Sequence, residues 1–121
     1  MKRAYLICPV RGHSPSESEP YVVWLEGRGW DVYWPHRDTN QDDPVGLEIC
    51  MQNREAIERA DCIFLIFDPS SSGSLFDLGM AFALEKPLVI LDAPPPDPGV
   101  KSFTVMIRAW QEATAEWEDR V

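Results

Sequence analysis

The chain of 121 residues has the size of one domain, long enough to bury a single three-layer core. An apolar share of 45% against 26% charged residues excludes a disordered chain. A formal net charge of -9, with 11 Lys and Arg scattered along the sequence, excludes a nucleic-acid polymer surface, which needs a basic stripe; a small anion held by local donors stays open.

No stretch approaches the roughly 20 apolar residues of a membrane span. The apolar run of the first segment, M-K-R-A-Y-L-I-C-P-V-R, is interrupted by Pro9 and Arg11 and is too short for a signal peptide. Cys8, Cys50 and Cys62 make no C-x-x-C pair and fall in apolar segments, as reduced core residues do. A cytoplasmic protein without membrane contact is expected.

In chain order, Ala4 to Val10 reads as a strand that opens into the exposed loop R-G-H-S-P-S-E-S-E-P. Ser16 or Ser18 is placed to cap a helix that begins near Pro20, carries Tyr21, Val22, Trp24 and Leu25, and ends at Gly27 and Gly29. Asp31 to Pro35 is a short aromatic strand, followed by the polar loop H-R-D-T-N-Q-D-D-P. Pro44 then opens a helix over Val45 to Ala60, with Leu47, Cys50, Met51 and Ile57 on one stripe and Asn53 bordering it.

The segment from Ala60 to Leu91 organises the rest. An unbroken apolar run, Cys62 to Phe67, ends at Asp68-Pro69, passes through a Ser-Gly loop (Ser70 to Ser74), continues as an apolar helix to Lys86-Pro87, and meets a second run, Leu88 to Leu91. Continuous apolar runs suit strands buried on both faces, and two joined by a helix read as a right-handed parallel crossover. Between Pro69 and Leu84 the sole ionisable side chain is Asp77, placed in the first helical turn just past the carboxyl end of a central strand, where open parallel sheets bind ligands. Two readings compete. Ser74-Leu75-Phe76-Asp77 fits a capping box, with Asp77 as a structural acid; alternatively the carboxylate is a nucleophile toward an electrophilic carbon such as an anomeric centre, its apolar neighbours Leu75, Phe76 and Leu78 raising its pKa.

Beyond it, A-P-P-P-D-P-G is an extended surface loop. From Ser102 on, Phe103, Met106, Ile107, Trp110, Ala113 and Trp117 are spaced for a wide-faced amphipathic helix that covers the sheet or a second subunit. The alternation predicts a single α/β domain, residues 1–121, with a parallel sheet of four to five strands whose first three strand-end loops converge on Asp77.

The first loop offers Arg11 as a fixed cation, Gly12 for close backbone approach and His13 as a further donor; the third supplies Ser70, Ser71, Ser72 and Ser74 around Gly73 at a helix N-terminus, which favours an anion. Each loop also reads simply as solvated chain. His36, Asp38, Asp42 and Asp43 in the second loop are positioned for a base or a ribose, or are turn-forming residues. Asp61 is a helix-to-strand turn residue at the amino end of the sheet. No spacing of His, Cys and Asp makes a metal site, and no G-x-G-x-x-G or Walker sequence is present.

The central unit, A-D-x-x-x-x-x-x-D-P and then S-G-S-L-F-D-L-G-M-A-F-A-L-E-K-P, resembles the nucleoside 2-deoxyribosyltransferase-like family, within it most closely the nucleoside 5'-monophosphate N-glycosidases. Tyr5-Leu6-Ile7-Cys8-Pro9-Val10-Arg11-Gly12 is similar to their first strand and loop, and Thr104-Val105-Met106-Ile107-Arg108 to their Ser-x-Met-Ile-Arg. The likeness spans Tyr5 to Arg108 in order. It implies a flavodoxin/Rossmann-like three-layer sandwich, with Asp77 as the nucleophile at C1' and Tyr5 positioning it. It also implies that Val10, Arg11, Gly12 and Ser71, with Gly73 in the same loop, hold a 5'-phosphate; that His36 and Asn53 line the substrate; and that Thr104 and Met106 reach a neighbouring subunit's site in a homodimer.

Two positions depart from that pattern. Asp77 stands where the family has Glu, a carboxylate withdrawn by about 1.5 Å. Asn53 stands where it has Asp, and an amide hydrogen-bonds without donating an acid proton. The expectation is cleavage of the base-sugar bond in a nucleoside 5'-monophosphate, with no metal or other cofactor and a nucleotide or nucleoside as partner. The alternatives are deoxyribosyl transfer, or a module of the same fold that binds a nucleotide without cleaving it.

Overall fold

A computed structural model describes residues 2–114; Trp117, expected on the last helix, lies outside them. The apolar runs form β1 (Arg3–Ile7), β2 (Asp31–Tyr33), β3 (Cys62–Ile66) and β4 (Leu88–Asp92). All pair in parallel in one sheet ordered β2-β1-β3-β4. Between them run α1 (Glu19–Gly27), α2 (Pro35–Asp38), α3 (Leu47–Arg59) and α4 (Ser72–Ala83), and α5 (Phe103–Ala113) follows.

The chain steps outward from β1 to β2, then returns across β1 to β3 and β4, so the direction of winding reverses between β1 and β3. Right-handed crossovers therefore place α1 on one face and α3 and α4 on the other. Side chains alternate between these faces along each strand. Tyr5, Ile7, Ile63 and Leu65 pack with Ala56, Ile57, Leu78 and Ala81, whereas Ala4, Leu6, Cys62 and Phe64 pack with Val22 and Leu25. This is the expected three-layer α/β sandwich, with four strands.

Among the described residues no fifth strand forms. In its place α5 lies along the outer edge of β4, where Gln111 Oε1 accepts from Ile90 N and Thr114 Oγ1 from Leu88 N at 3.1 Å. The opposite edge is closed by local side chains: Arg37 Nη2 donates to Val32 O at 2.7 Å and Asp38 Oδ2 accepts from Trp34 N at 2.8 Å. Both outer strands thus have side chains on ladder groups that otherwise template further pairing.

Several boundaries differ from the sequence expectation. β2 stops at Tyr33 because Pro35, with its fixed φ, is the first residue of α2 rather than the end of a strand. Ser18 sits at the start of α1 without capping it; its hydroxyl accepts from Trp34 Nε1 at 2.9 Å, and Ser14 caps the preceding 3-10 turn. In α3 the buried face is Asn53, Ala56 and Ile57, continued by Ala60, while Leu47 and Met51 are 64% and 43% exposed. At about 100° per residue, Met51 and Leu47 stand far round the helix from Asn53, so of the expected stripe Ile57 lies on the buried face and Leu47 and Met51 do not.

The Lys86-Pro87 pair has a structural role. Lys86 Nζ donates to Glu58 O and Ala60 O at 2.8 and 2.9 Å, satisfying carbonyls at the carboxyl end of α3. Asp61 Oδ2 accepts from Arg3 N at 2.8 Å at the amino end of the sheet, as its turn position implies. No helix among the described residues is long and apolar enough to cross a membrane.

Candidate active site

The site grows from the reversal point. Parallel strands β1 and β3 deliver their loops side by side, and Tyr5 in β1 faces the layer of α3 and α4. The register of β1 on β2 sets Tyr5 beside Tyr33, with the rings stacked at 5.5 Å and 9°. The β3–α4 loop turns at Asp68, whose Oδ1 accepts from Ser70 N and Ser70 Oγ at 2.9 and 2.6 Å. α4 then starts at Ser72, capped by Ser71, which accepts from Ser74 N at 3.3 Å.

That start overturns the capping-box reading. With Ser71 rather than Ser74 as the N-cap, Asp77 lies in the second turn of α4, on the buried stripe Ser74, Asp77, Leu78, Ala81. Its carboxylate faces the sheet and not the helix terminus. Tyr5 Oη donates to Asp77 Oδ2 at 2.8 Å.

Burial pushes the Asp77 pKa up to about 6, against the lowering effect of hydrogen bonds from Tyr5 and then Asn53. The same burial, with the negative Asp77 beside it, drives the Tyr5 phenol well above its ordinary range, so the hydroxyl stays a donor. Asp77 is 9% exposed. At neutral pH it is an ionised carboxylate stripped of most of its water, held on one oxygen by a neutral donor. Such a group can attack an electrophilic carbon or hold a cation or hydroxyl.

Asn53, from α3, reaches Asp77. Gly12 has φ +76 in the turn closed by His13 N donating to Val10 O at 3.1 Å, and Arg11 beside it is exposed. Val10 packs its side chain on the α1-side core. Ser71 and Gly73 lie at the N-terminus of α4, where free amides and the helix dipole favour an anion.

His36 acts on loop one: its Nε2 lies 3.2 Å from Pro9 O and, facing a carbonyl, is the donor. Thr104 is half-buried on α5, and Met106 packs on the chain's own core. Asp38 and Asp43 are structural, accepting from Trp34 N and from Val45 N and Ile49 N respectively. His13 pairs with Glu17 at 3.1 Å on the exposed loop.

Thr39 and Tyr33 escaped the sequence reading. Thr39 Oγ1 donates to Asn53 Oδ1 at 2.6 Å, and Tyr33 Oη lies 2.6 Å from Thr39 Oγ1. A threonine within a polar loop carries no signal of burial, so nothing in the sequence singled it out. A groove of about 390 Å3 runs beside the β2 edge, lined by Arg3, Asp31, Tyr33, Arg37, Asp38 and Arg59, and does not include Asp77. Burial keeps the Cys8 and Cys62 thiols protonated, pushed up to about 11 and about 12. Among the described residues no group of three or more His, Cys, Asp or Glu side chains is arranged for a metal ion.

No protein-family model and no curated protein matches the chain at a significant level. Solved structures do. The 2-deoxyribosyltransferase of Bacillus psychrosaccharolyticus superposes with a TM-score of 0.67 at 20% identity, covering 93% of this chain and 90% of its own. The CMP N-glycosidase BcmB of Clostridium botulinum superposes with a TM-score of 0.61 at 23% identity, covering 93% of this chain and 83% of its own. The chain therefore shares the fold of this 2-deoxyribosyltransferase and of this CMP N-glycosidase over nearly its whole length.

Proposed function

We propose that the chain belongs to the nucleoside 2-deoxyribosyltransferase-like family and cleaves the base-sugar bond of a nucleoside 5'-monophosphate. The observation that carries this reading is the buried Asp77 carboxylate, held at 2.8 Å by Tyr5 at the point where the sheet reverses its winding. The shared fold with a CMP N-glycosidase supports it.

In the proposed reaction an Asp77 oxygen attacks C1'. The C1'–N bond breaks as a C1'–O bond forms, and the base leaves with the bonding pair, taking a proton from water because Asn53 has none to give. Water then attacks C1', releasing the sugar phosphate, restoring the carboxylate and giving up a proton. Tyr5 fixes the carboxylate. Arg11, the backbone at Val10 and Gly12, and Ser71 with Gly73 at the α4 terminus take the 5'-phosphate, and His36 holds loop one in place. Thr104 and Met106 complete the site of a second copy in a dimer.

The neutral amide at Asn53 favours a second reading, a module of this fold that binds a nucleotide and leaves it intact. A panel of ribo- and deoxyribonucleoside 5'-monophosphates separates the two. Release of free base that is lost in Asp77→Asn supports cleavage. Thermal stabilisation of the wild-type protein by a nucleotide, with no base released, supports binding alone. Release that occurs only when a second free base is added, and without regard to the 5'-phosphate, identifies transfer instead.

A further inference from the structure

Three side chains outside the reacting pair form a hydrogen-bonded line that ends beside Asp77, and donor counting fixes its direction. An amide oxygen only accepts, so in the 2.6 Å contact between Thr39 Oγ1 and Asn53 Oδ1 the threonine gives its single proton. Having spent it, Thr39 must accept in its 2.6 Å contact with Tyr33, whose hydroxyl is therefore the donor there; the Asp38 carbonyl, 3.3 Å from the same hydroxyl, takes the weaker share. Asn53, its oxygen occupied, has Nδ2 left as the donor to offer Asp77, whose pKa it lowers. The line runs Tyr33 to Thr39 to Asn53 and ends beside Asp77, to which Tyr5, stacked on Tyr33, also donates.

We propose that Thr39 is a positioning residue: by donating to Asn53 Oδ1 it locks the amide with its NH2 toward Asp77, so that the carboxylate is held by two neutral donors. Thr39 is 4% and Asn53 7% exposed, so solvent does not substitute for either partner. Without the Thr39 proton the charge on Asp77 alone orients the amide, and the turned arrangement, with its oxygen against the carboxyl, becomes accessible whenever Asp77 is protonated. The consequence for turnover rests on the proposed nucleophilic role of Asp77; the consequence for its ionisation does not. Tyr5 faces Asp77 from β1, with Cys8 and Tyr33 the further titratable groups around that phenol; none brings a fixed cation to the carboxylate.

The test is the carboxyl titration of Asp77, followed by carbon-13 NMR in the full chain, beside base release against pH. Thr39→Val keeps the volume and removes the donor, and is expected to raise the Asp77 midpoint by about one unit and to lower kcat about fivefold at the wild-type midpoint, with Thr39→Ser restoring the midpoint. Tyr33→Phe, which keeps the ring stack, shifts the midpoint the same way by less and serves if Thr39→Val does not fold. An unchanged midpoint in a folded Thr39→Val, or in Tyr33→Phe where that variant stands in, overturns the proposal and leaves Thr39 as a buried partner of Asn53 only. A shifted midpoint in a protein that releases no base sustains the positioning role while the proposed cleavage fails.

Discussion

Tyr5 and Asp77, 72 positions apart in the chain, meet through a single buried hydrogen bond of 2.8 Å from the phenol to Oδ2. One comes from the strand at the centre of the winding, the other from the helix that follows its neighbour β3. Tyr5→Phe retains the packing and removes the donor. A hydrogen bond to a charged group contributes about 1.5–3 kcal/mol, so base release near neutral pH is expected to fall about 10- to 100-fold. The acid limb of the pH profile should move up from about 6, the position set by burial of Asp77 against its two hydrogen bonds. A Tyr5→Phe profile that superimposes on wild type would remove Tyr5 from the mechanism.

The pKa of Asp77 also sets a stability trade. The folded value of about 6 lies above the ordinary 3.8, so between roughly pH 4 and 6 the folded chain holds the proton more tightly than the unfolded one. Stability therefore falls as pH rises through that window, and above it the full cost of the buried charge, about 3 kcal/mol, is present. Asp77→Asn removes the charge while still offering Tyr5 an acceptor. Thermal melts should show this variant about 5 °C or more above wild type at pH 7.5 and the gap closing by pH 4.5. Equal melting temperatures at the higher pH would mean that the charge is compensated better than its burial implies.

How much of this was legible beforehand varied by residue, for physical reasons. The strands were readable because Cys62 to Ile66 and the first strand are buried on both faces and admit no polar alternation. Asp77 stood out as a lone acid in an apolar helix. Its register did not, because Ser70, Ser71, Ser72 and Ser74 are all competent caps and only the folded loop selects Ser71. The pairing with Tyr5 is nonlocal and leaves no spacing signature, so only the resemblance pointed to it. The buried face of α3 was only partly legible: Ile57 lies on it, but exposed Leu47 and Met51 outweighed Asn53 and Ala56 in hydrophobicity. Thr39 was hidden by its polar surroundings.

Lys86 closes the carboxyl end of α3 through two backbone carbonyls. Lys86→Met keeps most of the stem and deletes both bonds, and is expected to cost about 1–2 kcal/mol in urea unfolding without altering the midpoint of Asp77. A neutral effect would assign the Lys-Pro pair to another role.

The β4 edge is satisfied by α5 rather than by a strand. Replacing Gln111 and Thr114 together, as Gln111→Leu with Thr114→Val, leaves the backbone amides of Ile90 and Leu88 without acceptors. Loss of about 2 kcal/mol and concentration-dependent association, followed by light scattering, are the expected outcomes. A monodisperse variant of wild-type stability would show that α5 holds by its apolar face alone, through Ile107 and Trp110.

The central claim is that Asp77 forms a bond to the sugar. A nucleoside 5'-monophosphate carrying fluorine at C2' slows hydrolysis of a glycosyl ester more than its formation, so the intermediate should accumulate. Mass spectrometry of the protein quenched after mixing is predicted to show one added sugar phosphate, mapped by peptide digestion to Asp77 and missing in Asp77→Asn. Stoichiometric base release with no adduct, an adduct on another residue, or undiminished release by Asp77→Asn would contradict the account.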